Sequence, residues 1–299
     1  MEKIIAIVGP TASGKSALGI YLAQKLGGEV ISADSRQVYR GLNIGTGKVT
    51  KKEMAGIPHH LLDVASPRRQ FTVDDFVRRA QKAYSLIRAN KRIPVVVGGT
   101  GLYVDTFVGR MSYPSVPPNQ KLRARLERLT TAQLFEQLQK LDPRRAKNIE
   151  RTNPRRLIRA IEIAKAIGKS PTKDKTTNTT NNKYDVLWLG LSPTLEKLRK
   201  NIRARLLARI QAGMVVEAKK LHQAGLSFKR MNKLGLEYRY LALLLQNKIT
   251  KEQFTQELER AINHYAKRQM RWFKRNKDIN WVGSKTAALR LAKEFLGGR

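Results

Sequence analysis

The sequence predicts an α/β protein: a parallel sheet with helices on both faces, interrupted by a helical insertion. Three observations carry this. Short, wholly apolar runs alternate with helical patterns in the first third of the chain. A glycine-rich loop of phosphate-binding spacing joins the first run to the first helix. The run Tyr113-Pro114-Ser115-Val116-Pro117-Pro118 then ends the alternation, and the chain beyond it is helical and strongly basic.

Taken in order, Ile4-Ile5-Ala6-Ile7-Val8 is a buried strand, followed by Gly9-Pro10-Thr11-Ala12-Ser13-Gly14-Lys15-Ser16 and a helix carrying Leu18, Leu22 and Leu26. In this GxxxxGKS spacing, Gly9 and Gly14 let the backbone turn so that successive N–H groups face an anion at a helix N-terminus. Lys15 supplies a compact positive charge to terminal phosphates, and Ser16 a hydroxyl for a magnesium ion bridging phosphate oxygens. The core expected is therefore P-loop NTPase-like. The loop selects a diphosphate or triphosphate without saying what molecule carries it.

Glu29-Val30-Ile31-Ser32-Ala33 is a second strand, with Asp34 where it meets its loop. Residues 41–70 carry turn signals and read as an irregular crossing segment. A helix over 72–90 places Phe76, Ala80, Ala83, Tyr84 and Ile87 on one face, and Ile93-Pro94-Val95-Val96-Val97 is a third strand running into Gly98-Gly99-Thr100. Ligands of such sheets bind beyond the carboxyl ends of the strands, so one site can collect Lys15, Asp34 and Thr100.

In the insertion, Leu122, Leu126 and Leu129, then Leu134, Leu138 and Leu141, then Leu157, Ile161 and Ala164 recur at helical spacing. Lys173 to Lys183 is a Thr/Asn-rich surface loop, and Tyr184 to Leu191 returns as a core strand. Two apolar stripes come next, Leu195, Leu198, Ile202, Leu206, Ile210 and Phe254, Leu258, Ile262, Tyr265, Trp272, both expected in the core; Ile279 to Val282 is a last short strand. The organisation expected is 1–112 for the first part of the core, 113–183 for the insertion and 184–299 for the return.

The chain has 299 residues, 41% of them hydrophobic, enough for a sizeable core. It has no apolar run of bilayer length, and its first strand begins at Lys3, so neither membrane span nor leader is expected. The absence of cysteine excludes disulfides and Cys-based zinc sites and fits a reducing compartment; the cytoplasm is the expected location. The net charge of +36 divides into +9 over residues 1–110 and +27 over 111–299. A diphosphate needs two or three cations, whereas this excess suits a nucleic acid backbone.

The motifs GPTASGKS, ISADSRQVYRGLNIGTGK, IPHHLLD, VVVGGTGLYV, NPRRLIRAIE and YAKRQMRWF, in this order, resemble the tRNA dimethylallyltransferase (tRNA isopentenyltransferase) family over nearly the whole chain. The resemblance implies transfer of a dimethylallyl group from dimethylallyl diphosphate to the exocyclic amine of the adenine next to the anticodon, releasing diphosphate. It implies a magnesium-dependent P-loop enzyme, with the insertion helping to clasp the anticodon stem-loop. The family is often labelled ATP-binding from this loop. A monomer is expected.

Asp34 matches the family's catalytic aspartate, a general base for the adenine amine; an N-cap or an outer magnesium ligand are its other roles. Thr100 matches a threonine near the reacting groups, and as an alternative caps the following helix. Arg205 aligns with a diphosphate-contacting arginine, with Arg203 and Arg209 as neighbours that could serve instead. Asp34, Ser35, Arg36 and Gln37, together with Thr100, Arg123, Arg155, Arg156, Leu157, Ile158 and Arg159, resemble the tRNA-contact positions. His59 and His60 read as structural. The chain departs from the family where Arg155 replaces Gln, Arg209 replaces Met, Leu236 follows Gly235 in place of Tyr, and Asn263-His264 replaces Thr-Arg. Without cysteine it cannot form the zinc finger of the eukaryotic branch, so the bacterial type is the better match. A small-molecule or nucleoside-monophosphate kinase, a free adenine-nucleotide prenyltransferase and a non-catalytic RNA-binding protein are the other readings.

Overall fold

The computed structural model describes residues 2–112, 114, 116–168 and 184–297. The chain divides into two compact units, Met1–Met111 with Asn182–Arg299, and Ser112–Asn181.

In the first unit one all-parallel sheet has the order β3-β2-β4-β1-β5-β6, with β1 Glu2–Val8, β2 Gly28–Ser32, β3 His59–His60, β4 Ile93–Gly98, β5 Tyr184–Gly190 and β6 Asn280–Trp281. Strand β1 is central, paired with β4 up to Val8–Gly98 and with β5 from Glu2–Tyr184 to Val8–Gly190. Its residues are apolar from Ile4 to Val8 because both faces of the sheet are covered. Ile4, Ala6 and Val8 join Phe76, Ala80, Tyr84, Tyr103 and Phe107 on one side, from the helices Val73–Ala89 and Gly101–Phe107. Ile5 and Ile7 join Leu18, Leu22, Ala288 and Ala292 on the other, from the helices Lys15–Leu26 and Lys285–Gly297. Phe76 is fully buried and stacks on Tyr103 with centroids 4.2 Å apart. Truncating such a ring to Ala costs about 3–5 kcal/mol.

The helix Val73–Ala89 buries the five residues expected of it and starts at a capping box: Thr72 accepts from Asp75 N–H, and Asp75 accepts in return from Thr72 N–H. Helices Leu195–Gln211, Met214–Gln223, Phe228–Met231, Leu236–Leu245 and Lys251–Phe273 make a second core with Val38, Tyr39 and Leu42. Two expectations need correction here. Leu195 is 50% exposed, because it opens its helix directly after the Thr194 cap and lies beyond the packed turns. Tyr265 and Trp272 are only half-buried, each with a polar tip turned to polar company. The segment 41–70 also holds more order than its turn signals suggested: a one-turn helix Lys51–Met54, capped by Thr50 and Glu53, and the edge strand β3, paired with β2 through Val30–His59.

The second unit has its own core, in which Leu126, Leu134, Leu138, Leu157 and Ile161 come from the helices Gln120–Leu126, Thr131–Leu141 and Pro154–Ile167, with Ala146 from Pro143–Lys147. The Thr/Asn-rich loop lies outside the described residues. No helix among the described residues is long and apolar enough to cross a membrane.

Candidate functional site

Strands β2, β4 and β1 are neighbours, so their carboxyl ends bring three loops to one edge of the sheet. The loops are stitched together where they leave it: Ala33 N–H donates to Val97 O at 2.8 Å and Thr100 N–H to Ala33 O at 3.3 Å. A cavity of about 250 Å³ opens there, lined by Thr11, Lys15 and Ser16 from the first loop, Asp34, Arg36 and Gln37 from the second, and Gly98 and Gly99 from the third. This meeting of Lys15, Asp34 and the Thr100 loop is the one expected from the sequence.

The phosphate loop takes the shape that its glycines permit. Gly9 has φ +145° and Gly14 φ +94°, and a Cβ on Gly9 would stand 2.6 Å from Leu191 O. Gly14 caps the helix Lys15–Leu26 without a side-chain partner, leaving first-turn amides for a ligand. Ser13 Oγ is buried and has no hydrogen-bond partner among the described residues. Lys15 Nζ donates to Pro10 O within its own loop. Burial pushes the Lys15 ammonium down to about 7, the Arg205 charge adds to this, and Asp34 opposes it. Ser16, at the same helix start, is exposed.

Asp34 Oδ1 accepts from Arg36 N–H at 2.8 Å and Gln37 N–H at 3.3 Å, so the turn itself fixes the carboxylate. It therefore has the cap-like geometry weighed as its alternative while also facing the cavity. Thr100 begins the helix Gly101–Phe107 but does not cap it; its Oγ1 accepts from Ser35 N–H at 3.1 Å. The hydroxyl thus ties the third loop to the second, next to Asp34. Of the three neighbouring arginines only Arg205 lines the cavity, its Nη2 donating to Gly47 O at 2.8 Å. Arg203 pairs with Glu259 at 3.0 Å, and Arg209 donates to Gly45 O at 2.8 Å and lies 3.3 Å from Glu237.

The far wall was missed by sequence reasoning as a wall. Tyr265, Arg268 and Gln269 of the helix Lys251–Phe273 line the cavity with Ile262, and Arg268 lies over the Tyr265 ring at 5.7 Å. Burial, then the Asp34 charge, push the Tyr265 phenol up to about 12. His59, Glu237 and Arg239 also line it. His59 Nδ1 bonds Ile57 O at 2.8 Å, and His60 Nε2 meets Glu29 Oε2 at 2.7 Å, so both histidines have the structural partners expected of them. The segment 43–45 is seated on Glu217, whose carboxylate accepts the N–H groups of Asn43, Ile44 and Gly45 at 2.8–2.9 Å and the Tyr238 hydroxyl at 2.6 Å. Nothing in the local sequence of 41–47 points to a carboxylate more than 170 residues away in the chain.

In the second unit the expected RNA-contact residues divide. Leu157 and Ile158 are core residues, 0% and 8% exposed, because they lie on the apolar side of the helix Pro154–Ile167; this corrects their expected direct contact. Arg123 and Arg159 converge on Glu162, which is 2% exposed: Arg123 donates from Nε at 2.9 Å and Nη2 at 2.7 Å, Arg159 from Nη1, and Asn119 N–H at 2.6 Å. Burial alone would raise the Glu162 carboxyl, but these hydrogen bonds outweigh it and hold it below its usual range. Arg155 and Arg156 are exposed, Arg156 lying 3.0 Å from Glu150.

Residues 37–276 match the family model described as IPP transferase. The chain is 42% identical over 285 residues to tRNA dimethylallyltransferase 2 of Treponema denticola, covering 93% of this chain and 95% of that one. It is 37% identical over 281 residues to tRNA dimethylallyltransferase of Anoxybacillus flavithermus, covering 94% and 90%. Among solved structures, the full-length tRNA isopentenylpyrophosphate transferase of Bacillus halodurans is similar with a TM-score of 0.73 and 34% identity, covering 100% of this chain and 96% of that one. A eukaryotic dimethylallyltransferase acting on tRNA is similar with a TM-score of 0.86 and 27% identity, covering 100% and 80%. With the phosphate loop, Asp34 and Thr100 gathered at one sheet edge and relatives matching across nearly the whole length, this chain belongs to the IPP transferase family, the tRNA dimethylallyltransferases.

Proposed function

We propose that the protein transfers a dimethylallyl group from dimethylallyl diphosphate to the exocyclic amine of the adenine next to the anticodon of tRNA, releasing diphosphate. The observation that carries this reading is the single cavity holding an anion cradle with Lys15 at one part and the fixed carboxylate of Asp34 at another. As the allylic C–O bond breaks, its electron pair leaves with the diphosphate. Lys15 and the first-turn amides are the groups that meet that growing negative charge. The adenine nitrogen forms the new C–N bond and loses a proton to Asp34. Its lone pair is delocalised into the ring, so the base contributes about 10²–10⁴-fold. Thr100, held against Ser35, orients the amine or the bridging oxygen.

The donor set fits magnesium held mainly by substrate oxygens. Among the described residues no cluster of three His, Cys, Asp or Glu forms a metal cage, whereas Ser16 offers one exposed hydroxyl beside the cradle. When bound, the ion neutralises diphosphate charge. The basic excess beyond residue 110 supplies phosphate contacts for RNA, with Arg155 and Arg156 an exposed pair of the second unit.

The test is to incubate the protein with magnesium, dimethylallyl diphosphate and an unmodified tRNA bearing that adenine, and to weigh the digested nucleosides. One isoprenyl unit gained on that adenosine is expected. Phosphate transfer or ATP hydrolysis without it would replace the reading with a kinase one.

A further inference from the structure

Gln269 lies on the helix Lys251–Phe273, lines the cavity and has only 6% of its surface exposed. Its Oε1 accepts Thr11 N–H at 2.8 Å, and its Nε2 donates to Gly99 O at 2.8 Å. One side-chain amide therefore bridges the loop after β1 and the loop after β4. The partners are a donor on one side and an acceptor on the other, so an amide in this orientation satisfies both where an ionised carboxylate cannot. Gly99 is what allows the approach, since a Cβ there would collide with Nε2. The next residue of the phosphate loop is held from a different helix, Asn201 Nδ2 donating to Ala12 O at 3.2 Å, with Ala12 at φ +59°.

The two bridged loops carry opposite halves of the chemistry. The first cradles the leaving group. The second carries Thr100, which holds Ser35 beside Asp34. The spacing between them sets the line from the breaking C–O bond to the attacking nitrogen. We infer that Gln269 is a positioning residue, setting the phosphate loop in register with the Gly99–Thr100 loop so that leaving group and amine are aligned; this rests on the prenyl-transfer reading. Asn201 steadies the same loop from the other side.

Variants at Gln269 separate this role from packing. Gln269→Met keeps the volume and removes both hydrogen bonds. Gln269→Glu keeps the acceptor for Thr11 N–H but, as a carboxylate, has no proton for Gly99 O; acid restores one. Single-turnover transfer by Gln269→Met is expected to slow by about 10²-fold, the scale of a small misplacement of reacting groups, with tRNA affinity in the absence of donor unchanged. The rate of Gln269→Glu relative to wild type is expected to rise as pH falls from mildly alkaline to mildly acidic, because acid restores the proton that the bridge to Gly99 O needs, while effects of pH common to both proteins cancel in the ratio. A Gln269→Met protein transferring at the wild-type rate, or a Glu-to-wild-type ratio flat in pH, overturns the assignment. If circular dichroism shows that Gln269→Met does not fold, the pH ratio decides alone. Calorimetric affinity for inorganic pyrophosphate with magnesium, expected to fall in both variants, is read without turnover. If wild type transfers no prenyl group but binds pyrophosphate more tightly than the variants, the prenyl reading fails and the bridge stands; equal affinities overturn the bridge.

Discussion

The cavity and the second unit use arginine and lysine in opposite ways. In the second unit Arg123 and Arg159 are spent on the buried carboxylate of Glu162, a hydrogen-bonded cluster that locks helices together. At the cavity Lys15 and Arg205 rest instead on backbone carbonyls, Pro10 O and Gly47 O. A carbonyl orients a cation without cancelling its charge. In these two places the acceptor differs: a buried carboxylate for Arg123 and Arg159, a backbone carbonyl for Lys15 and Arg205.

The largest effect that would test this contrast is at the cavity. Asp34→Asn is expected to reduce single-turnover transfer by about 10²–10⁴-fold, and Lys15→Met by about 10²–10³-fold, both with tRNA binding retained. Equal loss of tRNA affinity and rate would move these residues from chemistry to docking. Next, Glu162→Ala leaves two partly exposed cations without their buried partner and is expected to destabilise the second unit by about 1.5–3 kcal/mol. Hydrogen exchange over the helix Pro154–Ile167 should report it, while pyrophosphate affinity stays the same.

The two regions titrate in the same sense for opposite causes: burial disfavours the charged form of Lys15, hydrogen bonds favour that of Glu162, and in each window stability rises with pH. Lys15 falls from an ordinary 10.5 to about 7, so between these values the unfolded chain holds the extra proton and ligand-free stability rises with pH; Lys15→Met flattens that window. Diphosphate binding then draws a proton onto Lys15, so calorimetry above pH 7 should show proton uptake and weakening affinity. Glu162 is depressed, so its stabilisation is present above the usual carboxylate range and lost as acid takes the pH through its lowered value. The smallest expected effect is at Arg156, whose pair with Glu150 is exposed. Arg156→Ala should change stability by less than about 0.5 kcal/mol, yet lower the salt slope of tRNA binding by about 1 if it meets a phosphate.

Much of this was legible in the sequence where the signal is local. The apolar runs fix the strands because a parallel sheet buries both faces, and GxxxxGKS fixes the cradle because its glycines have no substitute at those angles. Helical period could not tell the core residues Phe254 and Leu258 from the cavity-lining Ile262 and Tyr265, since a cavity wall and a core face share one spacing. Gln269 was invisible for a related reason: its partners Thr11 and Gly99 are reached only through the tertiary fold. The segment 41–47 was the least legible, the amides of Asn43, Ile44 and Gly45 being satisfied by Glu217 and the carbonyls of Gly47 and Gly45 by Arg205 and Arg209. The second unit misled at Leu157 and Ile158, where a basic motif runs along a helix whose apolar side faces inward.

The place of β1 in the sheet orders events on the ribosome. Its β4 neighbour arrives by residue 98, but its β5 neighbour begins only at residue 184. While the intervening segment is being synthesised, this central apolar strand has one open edge, a template for pairing with another chain. The nascent chain therefore carries that unpaired apolar edge until Tyr184 to Gly190 emerges, and a pause in translation just before it would lengthen the exposure.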